Sequence, residues 1–214
     1  MTTVTTATID TVQATAPKAL RADARRNREA VIKAARDRFA EEGMAAQMDD
    51  IARDAKVGVG TVYRHFPNKE DLVDALIEAR FETIAEHGRV ALEAISLGID
   101  EPWDAFSDYM YKCVEIQAND LALTQVMGSH PERMGHHAEA SGAWSHIEEL
   151  VKLTKKAGEM RKDARPDDIP MIICSLGVVT EHCRQGMGAL QDWKRFLAIA
   201  LDGLHADGVK QKLS

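Results

Sequence analysis

Apolar residues in this chain recur at three- and four-residue spacing, segment after segment, and nowhere alternate as a half-buried strand requires. That periodicity confines the chain to helices, and the expected class is all-α. Composition agrees. Hydrophobic residues make up 45% and charged residues 29%, enough to bury a core, while aromatics reach only 5%, a poor supply for a β-sandwich.

Residues 1–20 are rich in Thr and Ala without sustained periodicity and read as a flexible N-terminal arm. From Arg25 a helical pattern sets in, with Val31, Ala34, Ala35 and Phe39 on one stripe and Gly43 as its stop. Two short helices are predicted over Met48–Ala55 and Val59–Phe66, and Pro67-Asn68 then breaks the chain. Asn68 suits an N-cap, and the next helix starts at Lys69 and runs to about Glu86 or beyond. Further helices are expected at Pro102–Ala118, Asp120–Met127, His136–Ala157, Asp167–Arg184 and Asp192–Leu204.

Several function classes lack support. No apolar run approaches the roughly 18–20 residues of a membrane span, and the first residues lack the basic start and apolar stretch of a secretory signal. Three cysteines do not make a disulfide framework, so reduced thiols in a cytoplasmic protein are expected. His130, His136, His137, His146 and Glu139 do not repeat at metal-ligand spacing, and neither a metal nor a cofactor is expected. A net charge of −7 argues against nucleic acid at face value. Up to Lys69, however, the chain carries 12 Lys and Arg against 9 Asp and Glu; the excess of acid falls after it.

The informative stretch is Met48–Leu72, MDDIARDAKVGVGTVYRHFPNKEDL. Two short helices joined by a Gly-containing connection form a helix-turn-helix, whose second helix enters the DNA major groove. Helical geometry gives Val62 and Phe66 to the core with Ile51 and Val57, and turns Gly60, Thr61 and Arg64 outward. Gly60 allows close backbone approach, Thr61 offers a hydroxyl and a methyl, and Arg64 suits guanine or phosphate.

From Val31–Phe39 and Gly43, through Ile51-Ala52 and Gly60-Thr61-Val62-Tyr63-Arg64-His65-Phe66, to Asn68-Lys69-Glu70 and Leu72, the sequence resembles the TetR-type transcriptional regulators. The likeness covers about residues 25–75. It implies a three-helix DNA-binding domain over 21–68 and a helical ligand-binding and dimerisation domain over 69–214. Carried over, it implies phosphate contacts from Tyr63, His65 and Lys69, and base contacts from Val59, Gly60, Thr61 and Arg64. Arg21, Arg25, Arg26 and Arg28 become a basic approach to phosphate or minor groove. Two positions depart from the family. Gln47, which could still donate to phosphate, stands where Ser or Thr usually caps the second helix, and Lys56 replaces the usual turn glycine.

In the body, Trp103, Phe106, Met110 and Cys113 share one face with Tyr109 beside them, and Trp144, Ile147 and Val151 make a second stripe. Trp103, Phe106, Tyr109, Met110, Cys113, Trp144 and Ile147, with Met127, are the candidate lining of a small-molecule site. Ile169–Val179 is apolar nearly all round and Trp193–Leu204 carries a broad stripe, and the resemblance makes these two helices a homodimer interface. The expected protein is therefore a homodimeric regulator, a repressor, that binds a palindromic double-stranded DNA operator and is released by a small molecule. The rivals are a helical-bundle carrier or enzyme, for which no nucleophilic or phosphate-loop pattern is found, and an interaction adaptor without DNA binding.

Overall fold

Short connections divide the apolar periodicity into separate helices, and a computed structural model shows where each begins and ends over residues 16–120, 124, 131–186 and 193–208. Among these described residues lie nine α-helices: α1 Ala16–Glu42, α2 Met48–Asp54, α3 Val59–His65, α4 Lys69–Ser96, α5 Pro102–Asn119, α6 Pro131–Ala140, α7 Ala143–Ala157, α8 Asp168–Gly186 and α9 Trp193–Leu204. No strand joins them among the described residues; Met160 and His205 form an isolated antiparallel bridge. The fold is all-α. It divides into two compact units, Met1–Val73 and Asp74–Ser214, with α4 beginning in the first and continuing in the second.

In the first unit α1 packs on α2 and α3, and α2 on α3. Val31, Ala35 and Phe39 of α1 meet Ile51 and Ala52 of α2 and Val62 of α3 in a core closed to water. Each large side chain so buried contributes about 1.5–3 kcal/mol. An ion-pair network ties α1 to α2: Arg38 Nε lies 2.5 Å from Asp54 Oδ2, and its Nη1 lies 2.6 Å from Glu42 Oε1.

The helix stripe continues N-terminally past the point where apolar spacing first declares it. α1 starts at Ala16, so residues 16–20, assigned by sequence to the arm, are helical. Good helix formers between Ala16 and Arg28 extend a helix whose core contacts begin only near Val31. Residues 1–15 lie outside the described residues.

In the second unit α5 packs on α7 and α8, while α9 packs on α8 and α5. Phe106, Met110, Leu150, Val151, Ile169, Leu197 and Leu201 share its core. The structure fixes the end of α4 and divides one of the expected helices. α4 runs on to Ser96, because Leu92 and Ile95 keep its apolar side against the core and no proline interrupts it before Leu97-Gly98. The helix expected over His136–Ala157 is two helices, α6 and α7. Gly142 has φ 82°, a left-handed conformation that ends one helix, and Ser141 Oγ accepts from Ala143 N as the next begins. Of the helix expected over Asp120–Met127, only Asp120 and Thr124 are described, joined by a helical bond from Thr124 N to Asp120 O of 3.1 Å. Asp192, where the last expected helix starts, lies outside the described residues.

Candidate nucleic-acid interface and core cavity

α2 and α3 are each two turns long, too short to hold alone, and stand because one face of each is buried on α1. The connection between them passes through Lys56 at φ 57°, the left-handed conformation that the usual glycine would adopt freely. With Val62 and Phe66 buried, α3 turns Val59, Gly60, Tyr63 and Arg64 to solvent, with Thr61 half-buried at their edge. Val59 and Tyr63 are large apolar groups left uncovered by this unit. A Cβ on Gly60 would meet nothing within 4 Å, so nothing inside the unit requires glycine there.

The remaining expected contacts are placed as follows. Lys69 is half-buried, and its Nζ donates to the Met44 carbonyl at 2.9 Å, holding the start of α4 to the turn before α2. Asn68 Oδ1 accepts from Asp71 N at 2.8 Å and so caps α4. Gln47 makes no cap bond to α2; its amide donates instead to Ala45 O at 2.6 Å. Arg25 lies 3.6 Å from Glu29 and Arg26 pairs with Asp23, while the Arg28 guanidinium stands 5.6 Å from the centre of the Phe66 ring. The side chain of Arg21 lies outside what the structure describes. His65 is half-buried beside Phe66, and its enclosed Nε2 has no hydrogen-bond partner among the described residues. Burial, then the charges of Arg64 and Arg28, hold its pKa below the ordinary histidine value.

The second unit encloses a cavity of about 350 Å³, at the lower end for a small-molecule site. Its apolar wall includes Phe81 and Ile84 of α4, Met134 of α6, Trp144 and Ile147 of α7, and Ile173 of α8. Its polar wall is Arg80 of α4, Tyr109, Cys113 and Gln117 of α5, with Thr124 and Cys174. Arg80 is only 6% exposed, and its Nη1 donates to Thr124 Oγ1 at 3.1 Å.

Of the side chains expected to line such a site, Tyr109, Cys113, Trp144 and Ile147 do so. Trp103, Phe106 and Met110 do not. Phe106 and Met110 fill the bundle core, and Trp103 stacks edge-on against His205 at 4.6 Å near the end of α9. On α5, Phe106 and Met110 of the expected stripe pack on the neighbouring helices, while Cys113 of that stripe joins Tyr109 and Gln117 at the cavity. Met127 lies outside the described residues.

Sequence reasoning missed Arg80, Phe81, Gln117 and Cys174. Arg80 carried a legible signal. It stands four residues after Leu76 and four before Ile84, a charge set within the buried face of a helix.

Residues 31–76 match the sequence model of the family described as bacterial regulatory proteins, tetR family. The TetR transcription regulatory protein from Mycobacterium vanbaalenii is 35% identical and superposes with a TM-score of 0.62, covering 87% of this chain and 99% of that one. The TetR transcriptional regulator SCO0520 from Streptomyces coelicolor is 25% identical, with a TM-score of 0.60 over 83% of this chain and 98% of its own. An HTH-type transcriptional regulator of Staphylococcus aureus (strain USA300) is 36% identical over 116 residues, 50% of this chain. The chain spans 63% of the length of that curated relative.

Proposed function

The chain belongs to the TetR family of bacterial regulatory proteins, and from that premise we propose that it is a ligand-responsive transcriptional repressor, acting in the cytoplasm as a homodimer on an inverted-repeat operator. The observation that carries the reading is the outer face of α3. Its exposed Val59, Gly60, Tyr63 and Arg64 are mounted on a rigid three-helix core and serve no packing purpose within it. In this reading Thr61 and Arg64 meet base edges, and Tyr63 and Lys69 meet phosphates.

The cavity supplies the ligand response. α4 holds Lys69 at its first turn and Arg80, Phe81 and Ile84 in the cavity wall, so one helix belongs to both sites. A small molecule that fits the cavity better in the state unable to hold DNA shifts the population toward release. Two-fold symmetry would set the recognition helices roughly 34–36 Å apart, one turn of B-DNA. The apolar side chains that α8 and α9 leave exposed support the pairing: Met171 is 67%, Phe196 38% and Ile199 56% exposed.

Selection of binding sites from random duplex DNA tests this function. Enrichment of an inverted repeat, with affinity falling steeply in salt, is the expected result. Lys69→Ala should weaken binding to all sequences and flatten the salt slope by about 0.9 for each phosphate no longer held. Failure of the folded protein to enrich any sequence at low salt would overturn the proposal.

A further inference from the structure

Most polar side chains of the cavity wall are already engaged within the chain. Arg80 donates to Thr124 Oγ1 at 3.1 Å and has a further interaction besides. Thr124 Oγ1 in turn donates to Asp120 O at 3.0 Å. Tyr109 and Cys113 share a hydrogen bond. Burial pushes the Cys113 thiol up to about 12 and raises Cys174 as well, so both thiols are neutral at neutral pH. No Asp or Glu lines the cavity among the described residues.

Gln117 is the exception. It lines the cavity from α5 and is 6% exposed, yet its carboxamide makes no hydrogen bond among the described residues. A carboxamide brings two donors and an acceptor, and native structures leave few such buried groups without partners unless the site has a use for them. A second observation shows that the position is built in. On α8, a Cβ at Gly177 would collide with the Gln117 amide nitrogen, so the helix opposite leaves room for this carboxamide. Glycine within a helix costs stability relative to alanine, and here the close approach of Gln117 accounts for it.

Resting on the reading of this cavity as the effector site, we propose that Gln117 is its recognition residue and that the ligand is a compact, uncharged molecule, an apolar body bearing one hydroxyl. A hydroxyl suits a carboxamide turned either way, since it can donate to the amide oxygen or accept from the amide nitrogen. The apolar body lies against Phe81, Ile84, Trp144 and Ile147, and a chamber of about 350 Å³ keeps it small. An ionised ligand would give up its hydration for too little. The described wall has no acid to pair a cation, and its Arg80 is already committed within the protein.

Three probes with one skeleton test it: 4-phenyl-1-butanol, n-butylbenzene and 4-phenylbutyrate, titrated calorimetrically into the full chain at pH 7.5. The alcohol should bind at least about tenfold more tightly than the ionised acid, which must be desolvated without a free partner. Gln117→Met keeps the length of the side chain and removes its hydrogen bonding. It should weaken the alcohol about three- to tenfold and leave butylbenzene bound as tightly or more so. Should that variant fail to give a native circular dichroism spectrum, Gln117→Leu takes its place with the same expected result. Loss of alcohol and butylbenzene affinity by equal factors would make Gln117 a packing residue and overturn its role in recognition. An alcohol affinity untouched by the substitution would overturn it too. Acid binding as tightly as the alcohol, or more tightly, would overturn the uncharged class while leaving the cavity as a ligand site. No binding of any probe to the folded protein would overturn the ligand class and the effector site together.

Discussion

Gly60 and Lys56 are opposite exceptions on either side of one turn. Gly60 lies inside α3 where no neighbour crowds a Cβ, and an alanine there would be the better helix former. A glycine kept without internal need is accounted for by what approaches from outside. Gly60→Ala should therefore raise stability by about 0.5–1 kcal/mol in thermal unfolding and yet weaken operator binding at least tenfold in a mobility-shift titration. Unchanged DNA affinity would remove Gly60 from the interface. Lys56 is the reverse case, an L-residue at φ 57° where the turn favours glycine. Lys56→Gly should stabilise the protein by up to about 1 kcal/mol, read from the denaturant midpoint, and Lys56→Ala should not, since alanine inherits the strain. This position was legible in the sequence through the resemblance to the family, which has a glycine at that turn. The sequence did not reveal the enclosed Nε2 of His65, which depends on how the ring settles beside Phe66 under the Arg28 guanidinium.

Between elements, α1 and α2 are joined by apolar packing and by the Arg38, Asp54 and Glu42 network. Hydrogen bonding from Arg38 is the first cause that holds the Asp54 carboxyl below its ordinary pKa. A carboxyl lowered in the folded state contributes stability above its unfolded pKa, near 3.8, and loses that contribution as pH falls through the folded value. Asp54→Asn should accordingly lower the melting temperature at pH 7, with the gap to the unmutated protein closing below about pH 4. A gap constant from pH 7 to pH 2.5 would show that the variant disturbs packing instead. This network was not legible beforehand, since Arg38 and Asp54 are sixteen residues apart and belong to different helices. Helix existence is easier to read than helix extent. The α2 and α3 stripes fix their positions closely, while Gly142 looks like one small residue in a helical pattern and in fact separates α6 from α7.

At the scale of the whole molecule, the second unit covers only part of the apolar surface that α8 and α9 carry. Leu197, Leu201 and Leu204 face its own core, and Phe196 and Ile199 on the same short helix do not. The sequence showed this excess as a stripe broader than one buried face needs, but could not divide it into the part used within the chain and the part left over. A second copy is the occupant that the proposed function demands, because one helix-turn-helix buries too little surface to compete with genomic DNA. Pairing equal faces by a two-fold axis would both cover Met171, Phe196 and Ile199 and present two recognition helices to one operator. Met171→Glu combined with Ile199→Glu should give a folded chain whose mass by light scattering is that of one copy rather than two. Its affinity for the inverted repeat should fall at least about a hundredfold, toward that of a single half-site, because binding of the second half-site is no longer intramolecular. A double variant that remained dimeric would place the interface elsewhere. One that became monomeric with undiminished operator affinity would show that a single recognition helix suffices, and two-fold reading of the operator would fall with it.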